Sequence, residues 1–258
     1  MAHRARKRFG QNFLHDPVVI DKIIRSIRPA PGDHLVEIGP GQGAITEQLL
    51  ATVNKLDAVE LDWDLVKLLR TKYAHHPGFH LHSADALKFN FCQLAATGGK
   101  LRIVGNLPYN ISTPLMFHLL ENAQCLQDMH FMLQKEVVER MAAGPGSKTY
   151  GRLSVMLQAS CKVQMLFPIG PGAFQPAPKV ASAFVRLIPY DKPPIAIQKP
   201  EIFSQVVAQA FSQRRKTLRN TLRELVSVDT MRNCGIDPSA RAEQLSVEDF
   251  AHLSNAIS

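Results

Sequence analysis

No apolar run in this chain approaches the roughly 20 residues that a helix needs to cross a bilayer, so a helical membrane protein is excluded and no membrane partner is expected. The N-terminus, Met1-Ala-His-Arg-Ala-Arg-Lys-Arg, is basic but lacks the apolar stretch that follows in a secretory signal. An arginine-rich transit peptide fits no better, because the chain passes directly into patterned sequence. Cysteine is scarce: Cys92, Cys125, Cys161 and Cys234 stand far apart, with no CxxC spacing. They are expected to be reduced, mostly buried thiols of a cytoplasmic protein. Histidines are scattered, no His/Cys cluster has zinc-ligand spacing, and no metal is expected. Internal repeats and low-complexity tracts are missing too, which excludes a solenoid.

What is present is an ordinary globular composition, 45% hydrophobic and 20% charged, in 258 residues, enough for one large domain and a small one. The net charge of +8 bears on partners rather than on fold, and it favours a polyanion such as nucleic acid. Apolar, β-rich runs occupy 34–39, 56–61, 79–84, 101–106, 129–134, 161–167 and 182–188. Helical patterns cover 17–28, 43–53, 63–74, 112–122, 135–142 and 150–160. The first four strands alternate with helices, which predicts a parallel sheet with right-handed crossovers. The last two are joined by the proline-rich stretch 168–178 and read as an antiparallel pair with a long loop. An α/β domain is therefore expected over 1–190. Residues 191–200 read as a linker, and a helical domain follows over 195–258. In it Val207, Phe211, Leu218, Leu222 and Leu225 mark one face of a helix over 201–226.

The first strand runs into Gly39-Pro-Gly41-Gln-Gly43-Ala44 and then a helix, a turn that lets backbone approach a ligand at a helix N-terminus. Glu60 ends the next strand, where a carboxylate can accept both hydroxyls of a ribose. Gly39-x-Gly41-x-x-Ala44 also satisfies the relaxed dinucleotide fingerprint, so a nicotinamide dehydrogenase is a rival. Two acids argue against it. Glu37 beside the glycine turn would repel a pyrophosphate and suit a cationic ligand. Asp85, after the third strand, can accept a hydrogen bond from an adenine amino group. The set points to S-adenosylmethionine.

After the fourth strand comes Asn106-Leu107-Pro108-Tyr109. It resembles the (D/N/S)PP(Y/F)-type motif of amino-methyltransferases. An exocyclic adenine amine is a poor nucleophile, since its lone pair is delocalised into the ring. The Asn106 side-chain oxygen and the Leu107 carbonyl can accept its two N–H bonds, aim the lone pair and stabilise the developing positive charge. Pro108 fixes the turn, and Tyr109 offers a ring face to an extruded base. An ordinary strand-to-helix turn with an asparagine cap would also read this way in isolation; its position downstream of Glu60 and Asp85 favours the site.

With these motifs in place, the chain resembles the ribosomal RNA adenine N6,N6-dimethyltransferases over nearly its whole length, most of all their small-subunit branch. The resemblance implies a Rossmann-like class I fold with a seven-stranded, mostly parallel sheet. Arg8-Phe-Gly-Gln11-Asn12-Phe13-Leu14 is similar to the family's N-terminal motif, and by that similarity Asn12 and Leu14 contact the cofactor, as does Asn106. Phe174-Gln-Pro176-Ala-Pro178-Lys-Val180 is similar to its late FxPxPxV motif, which implies that Phe174 sandwiches the target base opposite Tyr109. The implied activity is dimethylation of two adjacent adenosines in a loop near the 3′ end of small-subunit rRNA, late in assembly. The implied partner is a precursor of the small ribosomal subunit, bound by a monomer.

Two basic clusters could track phosphates: Arg4, Arg6, Lys7 and Arg8, and Arg214, Arg215, Lys216, Arg219 and Arg223. On a continuous helix Arg215, Arg219 and Arg223 would form one band. The single tryptophan, Trp63, reads as packing rather than as a stacking platform. A non-enzymatic rival is an RNA-binding assembly factor, against which Glu60 and the Asn106 motif both argue.

Overall fold

The apolar runs become strands whose burial accounts for their composition. The computed structural model describes residues 11–95 and 99–257. Its strands are β1 (Phe13–Leu14), β2 (His34–Ile38), β3 (Lys55–Glu60), β4 (Phe79–Ser83), β5 (Leu101–Asn106), β6 (Leu126–Gln134), β7 (Cys161–Ile169), β8 (Phe174–Gln175) and β9 (Ser182–Pro189). Its helices are α1 (Pro17–Ile27), α2 (Thr46–Leu50), α3 (Trp63–Lys72), α4 (Ser112–Leu120), α5 (Lys135–Ala142), α6 (Arg152–Gln158), α7 (Pro200–Ala210), α8 (Leu218–Thr221), α9 (Val228–Asn233) and α10 (Val247–Asn255). Seven strands form one sheet in the order β4-β3-β2-β5-β6-β9-β7, and β1 pairs with β8 in a separate ribbon. From β4 to β6 every pairing is parallel, and β9 runs antiparallel to β6. The expected seven-stranded, mostly parallel α/β sheet is present. The central strands β2 and β5 bury Leu35, Val36, Ile103 and Val104, as strands covered on both faces must.

The chain folds as two compact units. One runs to Val138 and resumes over Gln164–Pro189; the other comprises Glu139–Val163 and the chain from Tyr190 onward. The core of the second unit includes Tyr150, Phe203, Val206, Leu218, Leu222 and Phe250. Ile195 and Ile197 pack against that core, so the stretch expected as a linker is part of the unit. The single helix expected over 201–226 does not form. α7 ends at Ala210, and the N–H groups of Leu218 and Arg219 bond the carbonyls of Ala240 (2.8 Å) and Pro238 (3.0 Å) in place of carbonyls one helical turn back. Arg215, Arg219 and Arg223 therefore do not form a helical band.

The expectation of four free thiols is also corrected. Cys92 and Cys125 form a disulfide, their Cα atoms 5.5 Å apart, while Cys161 and Cys234 are free. Cys92 lies in a short 3-10 turn and Cys125 in the turn after α4. The fold brings them within bridging range although 33 positions separate them.

β6 buries a histidine that makes the unit acid-sensitive. Neither ring nitrogen of His130 has a hydrogen-bond partner, and Asp128 lies 3.8 Å away. Burial, opposed by the Asp128 charge, lowers its pKa from 6.5 to about 4. A depressed histidine contributes stability above pH 6.5 that is lost as pH falls toward 4. His130→Leu is expected to remove about 3 kcal/mol of acid sensitivity across that window. Urea midpoints measured from pH 7 to pH 4 check this, and identical pH slopes for both proteins would refute it.

Candidate active site

The site forms where β2, β3 and β5 end, on their carboxyl side. Ile38 leads into Gly39 and Gly41, both with positive φ (65° and 60°). Gly41 is required twice over: besides its left-handed backbone, an added Cβ would lie 3.2 Å from the Phe13 ring. β1 therefore lies close over the glycine turn. Its register against β8 pairs Phe13 with Gln175 and Leu14 with Phe174. The His15 N–H extends the contact to the Ala173 carbonyl at 3.0 Å. This ribbon brings the N-terminal and late aromatic motifs together. No periodicity in the sequence announced it, because each strand is two residues long.

Acids line the same space. Glu60, buried at the end of β3, accepts hydrogen bonds from the Leu61 and Asp62 N–H groups at 2.9 Å and from the Gly41 N–H at 3.4 Å. Burial holds its pKa above the usual carboxylate value against those bonds. Glu37 is buried within β2, and the Thr46 hydroxyl donates to it at 2.6 Å. Burial, eased by that bond and reinforced by the Glu60 charge, raises its pKa to about 7. Asp85 accepts from the Leu87 N–H at 3.0 Å, which fixes the loop after β4. Asp62 caps α3 and accepts from the Gln11 side chain at 2.8 Å.

The turn after β5 completes the set. The Asn106 side-chain N–H donates to the Asn12 carbonyl at 2.9 Å, which fixes the amide orientation and leaves its oxygen as the acceptor end. The Leu107 N–H bonds the Met132 carbonyl at 3.2 Å, holding the turn against β6. The Tyr109 hydroxyl pairs with the Ser182 hydroxyl at 2.9 Å, which fastens the ring to the start of β9. Phe174 is buried on the ribbon.

Twelve of the residues singled out in the sequence line one cavity of about 260 Å³: Asn12, Leu14, Glu37, Gly39, Gly41, Glu60, Asp85, Asn106, Leu107, Pro108, Tyr109 and Phe174. Sequence reasoning missed Thr46 and Ser182 and gave Gln11 no role beyond its place in the N-terminal motif; all three act by holding other site residues. The lining also decides between ligands. It contains four carboxylates (Glu37, Glu60, Asp62 and Asp85) and, among the described residues, no lysine, arginine or histidine. A pyrophosphate would be repelled, whereas a sulfonium-bearing nucleoside with two ribose hydroxyls and an adenine amine matches the donor and acceptor set.

Of the two basic clusters, Arg4 to Arg8 lie outside the described residues. In the second unit Arg214 is engaged, donating to the Lys148 carbonyl (2.8 Å) and to Glu243 (3.2 Å). Arg215, Lys216, Arg219 and Arg223 are exposed on the turns around α8. No helix among the described residues is long and apolar enough to cross a membrane.

Comparison with known proteins agrees with this geometry. A family model described as ribosomal RNA adenine dimethylase matches residues 2–258. The chain is 59% identical over 256 residues to ribosomal RNA small subunit methyltransferase A of Pseudomonas syringae pv. tomato, covering 99% of this chain and 96% of the relative. It is 57% identical to the protein of that name from Hahella chejuensis, covering 100% and 94%. Among solved structures it is similar to a dimethyladenosine transferase from Plasmodium falciparum (TM-score 0.81, 26% identity, 93% and 95% covered). A 23S rRNA methyltransferase shares the fold (TM-score 0.75, 23% identity, 95% and 99% covered).

Proposed function

The chain belongs to the ribosomal RNA adenine dimethylase family, an S-adenosylmethionine-dependent rRNA adenine-N6,N6-dimethyltransferase of class I fold, and from that premise we propose that it dimethylates two adjacent adenosines in a loop near the 3′ end of small-subunit rRNA. It does so as a cytoplasmic monomer, on a late precursor of the small subunit. The observation that supports this reading best is the Asn106 amide, anchored through its nitrogen on Asn12 at 2.9 Å with its oxygen end left to accept.

S-adenosylmethionine supplies an electrophilic methyl group on a positively charged sulfur. Glu60 accepts the two ribose hydroxyls and Asp85 the adenine amine, while Asn12, Leu14 and the Gly39–Gly41 turn close around the rest. At the target base, the Asn106 oxygen and the Leu107 carbonyl accept the two N–H bonds of the exocyclic amine and turn its lone pair toward the methyl group. Pro108 holds that turn, and Tyr109 and Phe174 grip the base from its two faces. As the nitrogen–carbon bond forms, the sulfur–methyl bond would break with its electron pair going to sulfur, so that S-adenosylhomocysteine leaves, and the nitrogen becomes cationic and acidic, so its proton leaves to solvent without a strong base. After one transfer a single N–H remains to be accepted, and the cycle repeats on the same nitrogen once a second S-adenosylmethionine has replaced S-adenosylhomocysteine. Exposed Arg215, Lys216, Arg219 and Arg223 bind RNA phosphates.

Incubating the purified protein with unmethylated small subunits and labelled cofactor, then digesting the rRNA for mass spectrometry, tests the assignment. Dimethyladenosine at two neighbouring small-subunit positions is expected. Label only in large-subunit RNA, or none in RNA, would overturn it.

Cofactor affinity should also depend on pH. Glu37 ionises near pH 7, and a cationic ligand favours the ionised form. Affinity is therefore expected to rise by as much as about tenfold per pH unit below 7 and then to level off, with a proton released on binding. Titration calorimetry in two buffers of different ionisation enthalpy measures this. Glu37→Gln should flatten the profile, and an unchanged profile in that variant would refute the linkage.

A further inference from the structure

Helix α3 carries a surface that the reaction does not use. Leu65, Val66 and Leu69 face the core. Trp63, Lys67 and Arg70 follow at i, i+4 and i+7, so they share one face, beside the buried one, and all three are exposed. Trp63 is 65% exposed. Neither the Lys67 nor the Arg70 side chain has a hydrogen-bond or ion-pair partner among the described residues, whereas Lys72 of the same helix pairs with Glu47. A cation in the last helical turn is explained by the helix dipole. That accounts for Arg70 and for neither Lys67, one turn earlier, nor an exposed indole. Asp64, beside Trp63, suits the helix N-terminus on the same ground.

The position of this face matters as much as its composition. Leu61 and Asp62 line the cofactor cavity and Trp63 is the next residue, so this face begins one residue beyond the cavity lining. From there the stripe runs about 10 Å along the helix to Arg70. An aromatic ring followed by unpaired cations is the composition of single-strand nucleic-acid platforms, where a base stacks and its flanking phosphates are neutralised. Nothing acidic but Asp64 interrupts it, and the protein is positive overall, at +8.

We propose that this face of α3 is an accessory RNA contact, in which one unpaired base of the substrate strand stacks on Trp63 while neighbouring phosphates lie on Lys67 and Arg70. The inference rests on the RNA substrate proposed above.

Because Trp63 is the only tryptophan, intrinsic fluorescence reports this one position. Titration with an unmethylated single-stranded fragment of small-subunit rRNA is expected to quench or shift its emission. Trp63→Ala should weaken RNA binding at least about fivefold, and Trp63→Phe should recover part of that loss. Lys67→Gln with Arg70→Gln should make the slope of log affinity against log salt shallower by about 1.4. Cofactor affinity should stay unchanged in every variant, which controls for folding. If the wild type binds and methylates RNA while emission stays constant and the variants bind as tightly, this contact is wrong and the substrate stands. If the wild type neither binds nor methylates RNA, the substrate reading fails and takes this inference with it.

Discussion

Asn106→Ala is expected to lower kcat by roughly 10²- to 10³-fold, in the range lost when a single preorganised group that stabilises transition-state charge is removed. Two functions disappear together in that variant. The amide oxygen that accepts the target N–H is gone, and so is the N–H that holds the Asn12 carbonyl at 2.9 Å. Asn106→Asp separates them. It keeps an acceptor in place but loses the donor, and it sets a carboxylate against the Asn12 carbonyl. If accepting the amine is the main contribution, the aspartate variant should retain more activity than alanine; if Asn106 served only to anchor β1, the two should be equally impaired. Single-turnover methyl transfer at saturating cofactor and RNA makes the comparison free of binding effects. An alanine variant within tenfold of the wild type would remove Asn106 from the chemistry.

The parts of this site that could be read in the sequence are those in which one residue type does one job beside a strand end. Gly41, Glu60 and Asn106 each stand at or just past the end of a buried parallel strand, and such strands appear as continuous apolar runs whether or not the partner strand is known. The central strands of the sheet were visible for that reason. What escaped depends on pairing across the chain. β1 and β8 have no pattern of their own and exist through the Leu14–Phe174 register. The Cys92–Cys125 bridge follows no spacing rule. The helix expected beyond Phe211 had the right apolar period, and it lost to the Ala240 and Pro238 carbonyls, some twenty residues away, that capture its N–H groups.

Arg102→Met should destabilise the protein by about 3–5 kcal/mol, the cost of leaving buried charges without their partner. That corresponds to a fall in Tm on the order of 10 °C for a chain of this size. Arg102, on β5, is buried, and all five of its donor positions are used. Its Nε and Nη2 bond Asp128 at 2.9 and 3.1 Å, Nη1 reaches Asp33 at 2.6 Å and the Arg28 carbonyl at 3.3 Å, and Nη2 also bonds the Ile27 carbonyl at 2.6 Å. Those carbonyls lie at the C-terminal end of α1, where Arg28 closes the helix in a left-handed conformation, so a guanidinium replaces bonds the helix cannot make itself. Methionine would fill the volume but strand Asp128, which is 1% exposed and would keep only Arg186 at 2.8 Å. Adding Asp128→Leu to Arg102→Met should therefore recover part of the loss, since it removes the stranded buried carboxylate, although Arg186 and Asp33 each lose an ionic partner. Urea unfolding of the single and double variants decides this, and a loss below about 1 kcal/mol in Arg102→Met would show that the network is dispensable. The consequence reaches the site through α1 itself. The helix is pinned by Arg102 at one end, and at the other only His15 and Asp16 separate it from β1, which pairs Leu14 with Phe174 and directly follows Asn12, whose carbonyl accepts from Asn106. Releasing α1 loosens that arm over the glycine turn, so cofactor affinity measured well below the melting midpoint should fall in Arg102→Met and return with stability in the double variant.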